Sequence, residues 1–158
     1  MNYIIDGHNL IGKIPGLSLS MPDDEQRLVE LLNRYGQVSR HNLEVYFDGA
    51  TPGQAYVRNY GRVRAHFVPV SQSADEAIRR RLVRLGRSAS NWVVVTSDRE
   101  VQSVAREAHA RVLRAEDFSR LMQTTLQRQL DNAESEMDQT LSEDEVNEWL
   151  AIFKARGK

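Results

Sequence analysis

The sequence predicts an α/β domain with a mainly parallel β-sheet, on three observations. Short apolar runs alternate with stretches of helical periodicity from the first residues to about Leu130, as when crossover helices separate parallel strands. One run, Trp92 to Val95, has no polar interruption, which suits a strand covered on both faces. The chain has 158 residues and is 41% apolar, enough for one domain with a sizeable core.

The elements follow in order. "YIID" reads as the first strand. "MPDDEQRLVELLNRYGQ" reads as a helix with Pro22 in its first turn, acids at its positive end, a stripe of Leu28, Leu31, Leu32 and Tyr35, and Gly36 to end it. "LEVYFDG" is a second strand and "VRAHFVPV" a third, with the intervening "GQAYVRNYGRVR" read as a loop. "SADEAIRRRLVRLG" is a helix opened by a capping box of Ser73 and Glu76, with Ile78, Leu82 and Leu85 inward. "NWVVVTSD" is the fourth strand, "REVQSVAREAHA" a helix, "RVLRA" the fifth strand and "EDFSRLMQTTLQRQL" a helix. Residues 131–141 are acidic and lack apolar periodicity, and read as a linker between a 1–130 domain and a C-terminal amphipathic helix in 142–158. That helix starts with a second capping box, Ser142 with Glu145, and carries Val146, Trp149, Leu150 and Phe153 on one stripe. Such an apolar stripe needs cover. We expect it to dock on its own domain, with a homodimer partner as the alternative.

The net charge is −1, but the charges are segregated. Between Ala55 and Asn91 stand eight arginines and two acids; between Asp131 and Glu148 stand eight acids and no base. The first segment can meet phosphates and the second cannot. No cysteine is present, which excludes disulfides, thiolate metal sites and cysteine nucleophiles. The first apolar run reaches an acid after three residues and no run approaches a membrane span, so neither a signal peptide nor a membrane anchor is expected and the reading is cytoplasmic.

Acids recur at one kind of place. Asp6, Asp48 and Asp98 each lie at the carboxyl end of an expected strand, and Asp75 lies in the first turn of the arginine-rich helix. In open α/β sheets the carboxyl edge is where ligands bind. Adjacent strands are about 4.8 Å apart, so carboxylates there repel one another unless a cation intervenes. Hard cations such as Mg²⁺ or Mn²⁺ take oxygen ligands, polarise phosphates and activate water. Simpler roles compete: Asp48-Gly49 is also a turn signal, and Asp75 and Asp98 could serve as helix-terminal acids. Asn9 could hold water or phosphate by its amide, or bond backbone in its own turn. His8 is a candidate general base that reads more simply as a turn residue, and Thr96 and Ser97 read as groups that orient Asp98 or bond local backbone.

Arg80, Arg84 and Arg87 share a helical face that starts beside Asp75. Tyr56 and Tyr60 interleave with Arg58, Arg62 and Arg64, a pattern that stacks unpaired bases and holds phosphates. Tyrosines packed on the sheet and a solvated arginine face are the alternatives.

With "YIIDGHNLI", "VYFDG", "SADEAIRRRL" and "VVVTSDREVQ" assembled, the first 130 residues or so resemble the YacP-like NYN domains of the PIN-like nuclease superfamily. The resemblance implies a Rossmann-like, three-layer domain whose five strands, numbered along the chain, lie in the order 3-2-1-4-5. It implies a Mg²⁺- or Mn²⁺-dependent endoribonuclease. It carries Asp6, Asn9, Asp75 and Asp98 onto the acidic site, with Asp48 a further metal ligand. The leading expectation is hydrolysis of single-stranded RNA, mRNA included. The alternative is an RNA-binding or ribosome-associated module whose nuclease activity is weak or needs a complex; the charge of −1 draws free RNA only weakly. A phosphatase or nucleotide-binding enzyme is disfavoured, because the first strand leads into D-G-H-N and not into D-x-D or a glycine-rich loop.

Overall fold

The computed structural model describes residues 1–51, 53 and 56–156; for residues 138–156 only the backbone is described. The strands are β1 (Asn2–Asp6), β2 (Asn42–Ala50), β3 (Tyr56–Tyr60), β4 (Val63–Pro69), β5 (Trp92–Val95) and β6 (Arg111–Leu113). The helices are α1 (Gly7–Ile11), α2 (Asp24–Ser39), α3 (Ala74–Leu85), α4 (Arg99–Glu107) and α5 (Ala115–Arg156), with a 3-10 segment at Gly86–Asn91.

The strands form one sheet in the order β3-β4-β2-β1-β5-β6. Every pairing is parallel except that of β3 with β4. The five expected strands appear in the expected order as β4-β2-β1-β5-β6. The sixth is a correction: "YVRNY" is an antiparallel edge strand joined to β4 by a tight turn at Gly61, not a loop.

The period of two along β1 sorts its side chains. Tyr3 and Ile5 enter the core formed with α1, α2 and α5, whereas Ile4 enters the core formed with α3 and α4. In the first core the rings of Tyr3, Tyr35 and Phe118 meet with centroids 5.4–6.5 Å apart, joining β1, α2 and α5. Each such pair contributes about 0.5–1.5 kcal/mol beyond simple burial. On the other face Ile78 and Leu82 of α3 are buried with Val94 of β5 and Val101 of α4. These packed layers fix where α3 and α4 begin, and both begin at the carboxyl edge.

Some boundaries differ from expectation. Helix α2 passes through Gly36, buried against the Leu43 side chain, and ends at Ser39 with Arg40 in the left-handed region. Segment 7–11 is a helical turn too short to show periodicity. Helix α5 runs unbroken through 131–141, where composition suggests a linker. The stretch 115–156 has no Gly or Pro, so its backbone can stay helical through a polar segment. The side chains of Val146, Trp149, Leu150 and Phe153 lie outside the described residues. Among the described residues no helix is long and apolar enough to cross a membrane.

Candidate active site

Alternation along β1 turns Asp6 to the same face as Ile4, toward α3 and α4. There it is only 8% exposed. Its pKa is pushed up to about 6, first by burial and then by the charges of Asp75 and Asp48, against the opposing Thr96 hydroxyl and Asn9 backbone. Asp75, in the first turn of α3, is also raised: by burial, then by Asp98, Asp48 and Glu100. Asp6, Asp48, Asp75 and Asp98 thus share one electrostatic environment at the carboxyl edge.

Local sequence explains how each acid is held. Gly7 lets α1 turn directly off β1 across the sheet, since a Cβ there would collide with the Phe47 ring. Asp98 caps α4, its Oδ1 accepting from the Glu100 N–H at 2.8 Å. The fully buried Thr96 hydroxyl donates to Asp6 Oδ2 at 3.4 Å and accepts the Asp98 N–H at 3.1 Å. One side chain therefore links the two acids. Asn9 Oδ1 accepts the Ser97 N–H at 2.8 Å, tying α1 to the β5–α4 loop. The Ser97 hydroxyl donates to Glu116 at 2.8 Å and accepts the Ala115 N–H.

Asp48 lies where the register of β2 with β4 shifts, between Phe47 and Ala50, and such irregularities re-aim side chains. Its carboxylate meets His8 Nδ1 at 2.8 Å, while His8 Nε2 lies 3.1 Å from Glu25. The bonds to Glu25 and Asp48 raise the imidazole to about 9 against its partial burial. It is a cation at neutral pH, clamped between α2 and β2, and not a free general base.

Glu25, Glu100 and Glu116 were not among the sequence candidates. The only sequence signal for them is that each lies in the first turn of a helix starting at this edge. Among the described residues no three Asp, Glu, Cys or His side chains come together closely enough to hold a metal ion as they stand. The donor chemistry still fits a hard cation. The donors are carboxylate oxygens, and the pKa values of Asp6 and Asp75 are raised first by burial and then by neighbouring acids that no cation offsets.

The expected RNA contacts divide. Arg80 and Arg84 line a cavity beneath α3. Arg87 is exposed in the 3-10 segment beyond the helix. Tyr56 stacks on Phe67 at 4.7 Å near the carboxyl edge, and the Arg58 guanidinium lies 5.2 Å over the Tyr56 ring. Tyr60 pairs with Val63 at the opposite edge, where Arg62 donates to the Arg40 carbonyl at 2.8 Å. A hollow of about 500 Å³ is lined by Leu17, Arg27, Glu30 and Arg34 among others, and none of the four candidate acids lines it.

Solved structures share the fold, two of them of one bacterial protein. One is that of "Rae1 (YacP) from Bacillus subtilis", 23% identical, with a TM-score of 0.70 over 94% of this chain and 92% of that one. The other is its "W164L mutant", 25% identical, with a TM-score of 0.67 over 80% and 77%. A comparison with curated proteins returns no match. The profile of the YacP-like NYN domain matches residues 3–154, including the tail that the motifs alone do not reach. The chain belongs to the YacP-like NYN domain family, and its function is of the RNA-related, nuclease type.

Proposed function

We propose that the protein is a Mg²⁺- or Mn²⁺-dependent endoribonuclease that hydrolyses single-stranded RNA in the cytoplasm. One observation carries the reading. Asp6 is buried at the carboxyl edge and held near pKa 6 by its burial and by neighbouring acids, an arrangement that burdens folding and suits a cation. When bound, the cation supplies neutralising charge and activated water for phosphodiester hydrolysis.

Asp6, Asp75 and Asp98 would hold the cation, with Asp48 at the flank. Thr96 fixes the spacing of Asp6 and Asp98. Asn9 holds the loop between β5 and α4 in place. The arginines of α3, with Arg58 and Tyr56, would guide the strand. The deciding experiment is cleavage of a labelled single-stranded RNA with Mn²⁺, with Mg²⁺ and with chelator. The expected result is cleavage with either metal that the chelator abolishes. Equal cleavage in chelator would overturn the reading.

A second reading keeps RNA binding but makes activity depend on a complex such as the ribosome. What favours it is that no three described donors converge as they stand, and that a net charge of −1 draws free RNA only weakly. Cleavage of naked RNA separates the two readings.

A further inference from the structure

A cavity of about 150 Å³ lies between α3 and the outer strands, lined chiefly by Tyr46, His66, Gln72, Arg80, Arg81 and Arg84. Its chemistry is unlike that of the acidic edge. Three arginines line it and no acid does. Arg81 is already committed, its Nε within 3.1 Å of both Glu44 oxygens and its guanidinium 5.1 Å over Trp92. Among the described residues Arg80 and Arg84 have no ion pair, and they stand four residues apart on one face of α3.

The floor is a stacked pair. The rings of Tyr46 and His66 lie 4.3 Å apart, nearly parallel at 8°. The Tyr46 hydroxyl donates to Glu44 at 3.2 Å. His66 Nε2 is buried and has no hydrogen-bond partner among the described residues. A buried polar atom left unpaired costs about 1–3 kcal/mol, and buried polar atoms in native folds are nearly always paired. Burial lowers the His66 pKa, with Arg64 and Arg81 adding to the effect against Glu44. The ring is therefore neutral, and its Nε2 offers a hydrogen bond without a charge.

The cavity adjoins the acids. Tyr46 is the register partner of Asp6, and His66 is the register partner of Tyr46. The three residues form one row across β1, β2 and β4, so the cavity floor begins one strand from Asp6 and His66 stands about 10 Å from it, two strand spacings. A more open groove of about 450 Å³ runs from Asp48 to Gln72, and Gln72 also lines the cavity. By volume the cavity holds about five waters, which is a phosphate group and not a drug-sized apolar ligand.

We propose that this cavity seats a backbone phosphate of the RNA strand, held by Arg80, Arg84 and His66 Nε2, beside the phosphate at the acids. The proposal rests on the nuclease reading, and it assigns to His66 a binding role that an exposed arginine face alone would not require.

The test uses the full chain in chelator, with a fluorescein-labelled oligouridylate and fluorescence anisotropy. His66→Phe preserves the stack but removes Nε2, and should weaken binding about tenfold, the effect of one hydrogen bond to a charged group. Its salt dependence should match wild type, because His66 carries no charge. His66→Gln restores an amide nitrogen and should recover most of the affinity. Arg84→Gln should instead flatten the salt slope by about one. Imidazole NMR of wild-type protein provides a reading that no folding defect can spoil: RNA should shift the His66 ring signals. Wild-type affinity in His66→Phe, or no shift on RNA addition, overturns the proposal while leaving the nuclease reading intact. Shifts with inorganic phosphate but not with RNA would make it a seat for free anions and overturn the RNA assignment. If wild type binds no RNA at all, both readings fall.

Discussion

Asp6 and Glu44 are both buried acids on the α3 side of the sheet, on neighbouring strands, and their surroundings are opposite. Glu44 is 7% exposed and Asp6 8%. Glu44 receives the Arg81 Nε at both oxygens and the Tyr46 hydroxyl at one. Asp6 has one long bond from Thr96, a weak opposing contribution from the Asn9 backbone, and the charges of two other acids nearby. A buried charge is tolerated when paired and hydrogen-bonded. Glu44 meets that condition within the fold. Asp6 does not, and an acid kept under such conditions points to a cation or substrate as its missing partner.

The largest expected effect follows from treating Asp6 as the functional acid. Asp6→Asn and Asp98→Asn should each lower RNA cleavage by about a hundred- to a thousandfold, with the fold retained. Rates and melting curves measured together check this. Near-wild-type rates in folded variants would move the chemistry away from this edge.

Glu44→Gln should do the reverse. It leaves Arg81, which is 28% exposed at its side chain, without its counter-charge. Stability should fall by about 3–4 kcal/mol, read from urea denaturation, while turnover at saturating RNA stays close to wild type. A large loss of turnover in a stable Glu44→Gln protein would erase the distinction between the two acids.

The two acids were not equally legible. Asp6, Asp75 and Asp98 stood out because strand ends and helix starts can be read locally, and parallel order places those ends on one edge. Glu44 was passed over: it sits inside "LEVYFDG", and its partner Arg81 lies 37 residues away. Only the packing of α3 on β2 brings them together. Glu25 and Glu116 escaped for the same reason, since their approach to His8 and Ser97 depends on how α2 and α5 pack. The edge strand β3 alternates Tyr56, Arg58 and Tyr60. That period of two is a strand signal, but the tyrosine–arginine mixture reads equally as an RNA-binding loop. The helical backbone across 131–141 was hidden by composition, because acidity speaks to solvation and not to helix breaking.

Asp6 also sets a pH dependence. Its folded pKa is raised, so its contribution to stability is fully present below 3.8 and lost as pH rises through about 6. In metal-free buffer above pH 6, Asp6→Asn should therefore be more stable than wild type, by about 2–3 kcal/mol. The gain should vanish below 3.8, where Asp6 is protonated in both states. Melting temperatures of the pair across this range check the sign. A variant that is less stable at neutral pH would mean that Asp6 is stabilised by something other than an added cation.

The smallest effect belongs to His8, whose sign is also set by a raised pKa but in a different window. Its contribution is fully present below 6.5 and lost as pH rises through about 9. Hydrogen bonds from both ring nitrogens to carboxylates, Glu25 first, produce the shift. The imidazole side chain is 32% exposed, and Glu25 and Asp48 are 36% and 46% exposed, so solvent screens the bridge and its worth is about 1 kcal/mol or less. His8→Gln should lower stability by that amount at neutral pH and by nothing above about pH 9. Between 6.5 and 9 wild type should lose stability while the variant stays level, a window in which Asp6 is already ionised and contributes no slope. If the difference between the two proteins is constant through that window, His8 acts by packing against Phe47, whose ring centroid lies 5.6 Å away, and the ionic bridge from α2 to β2 contributes nothing.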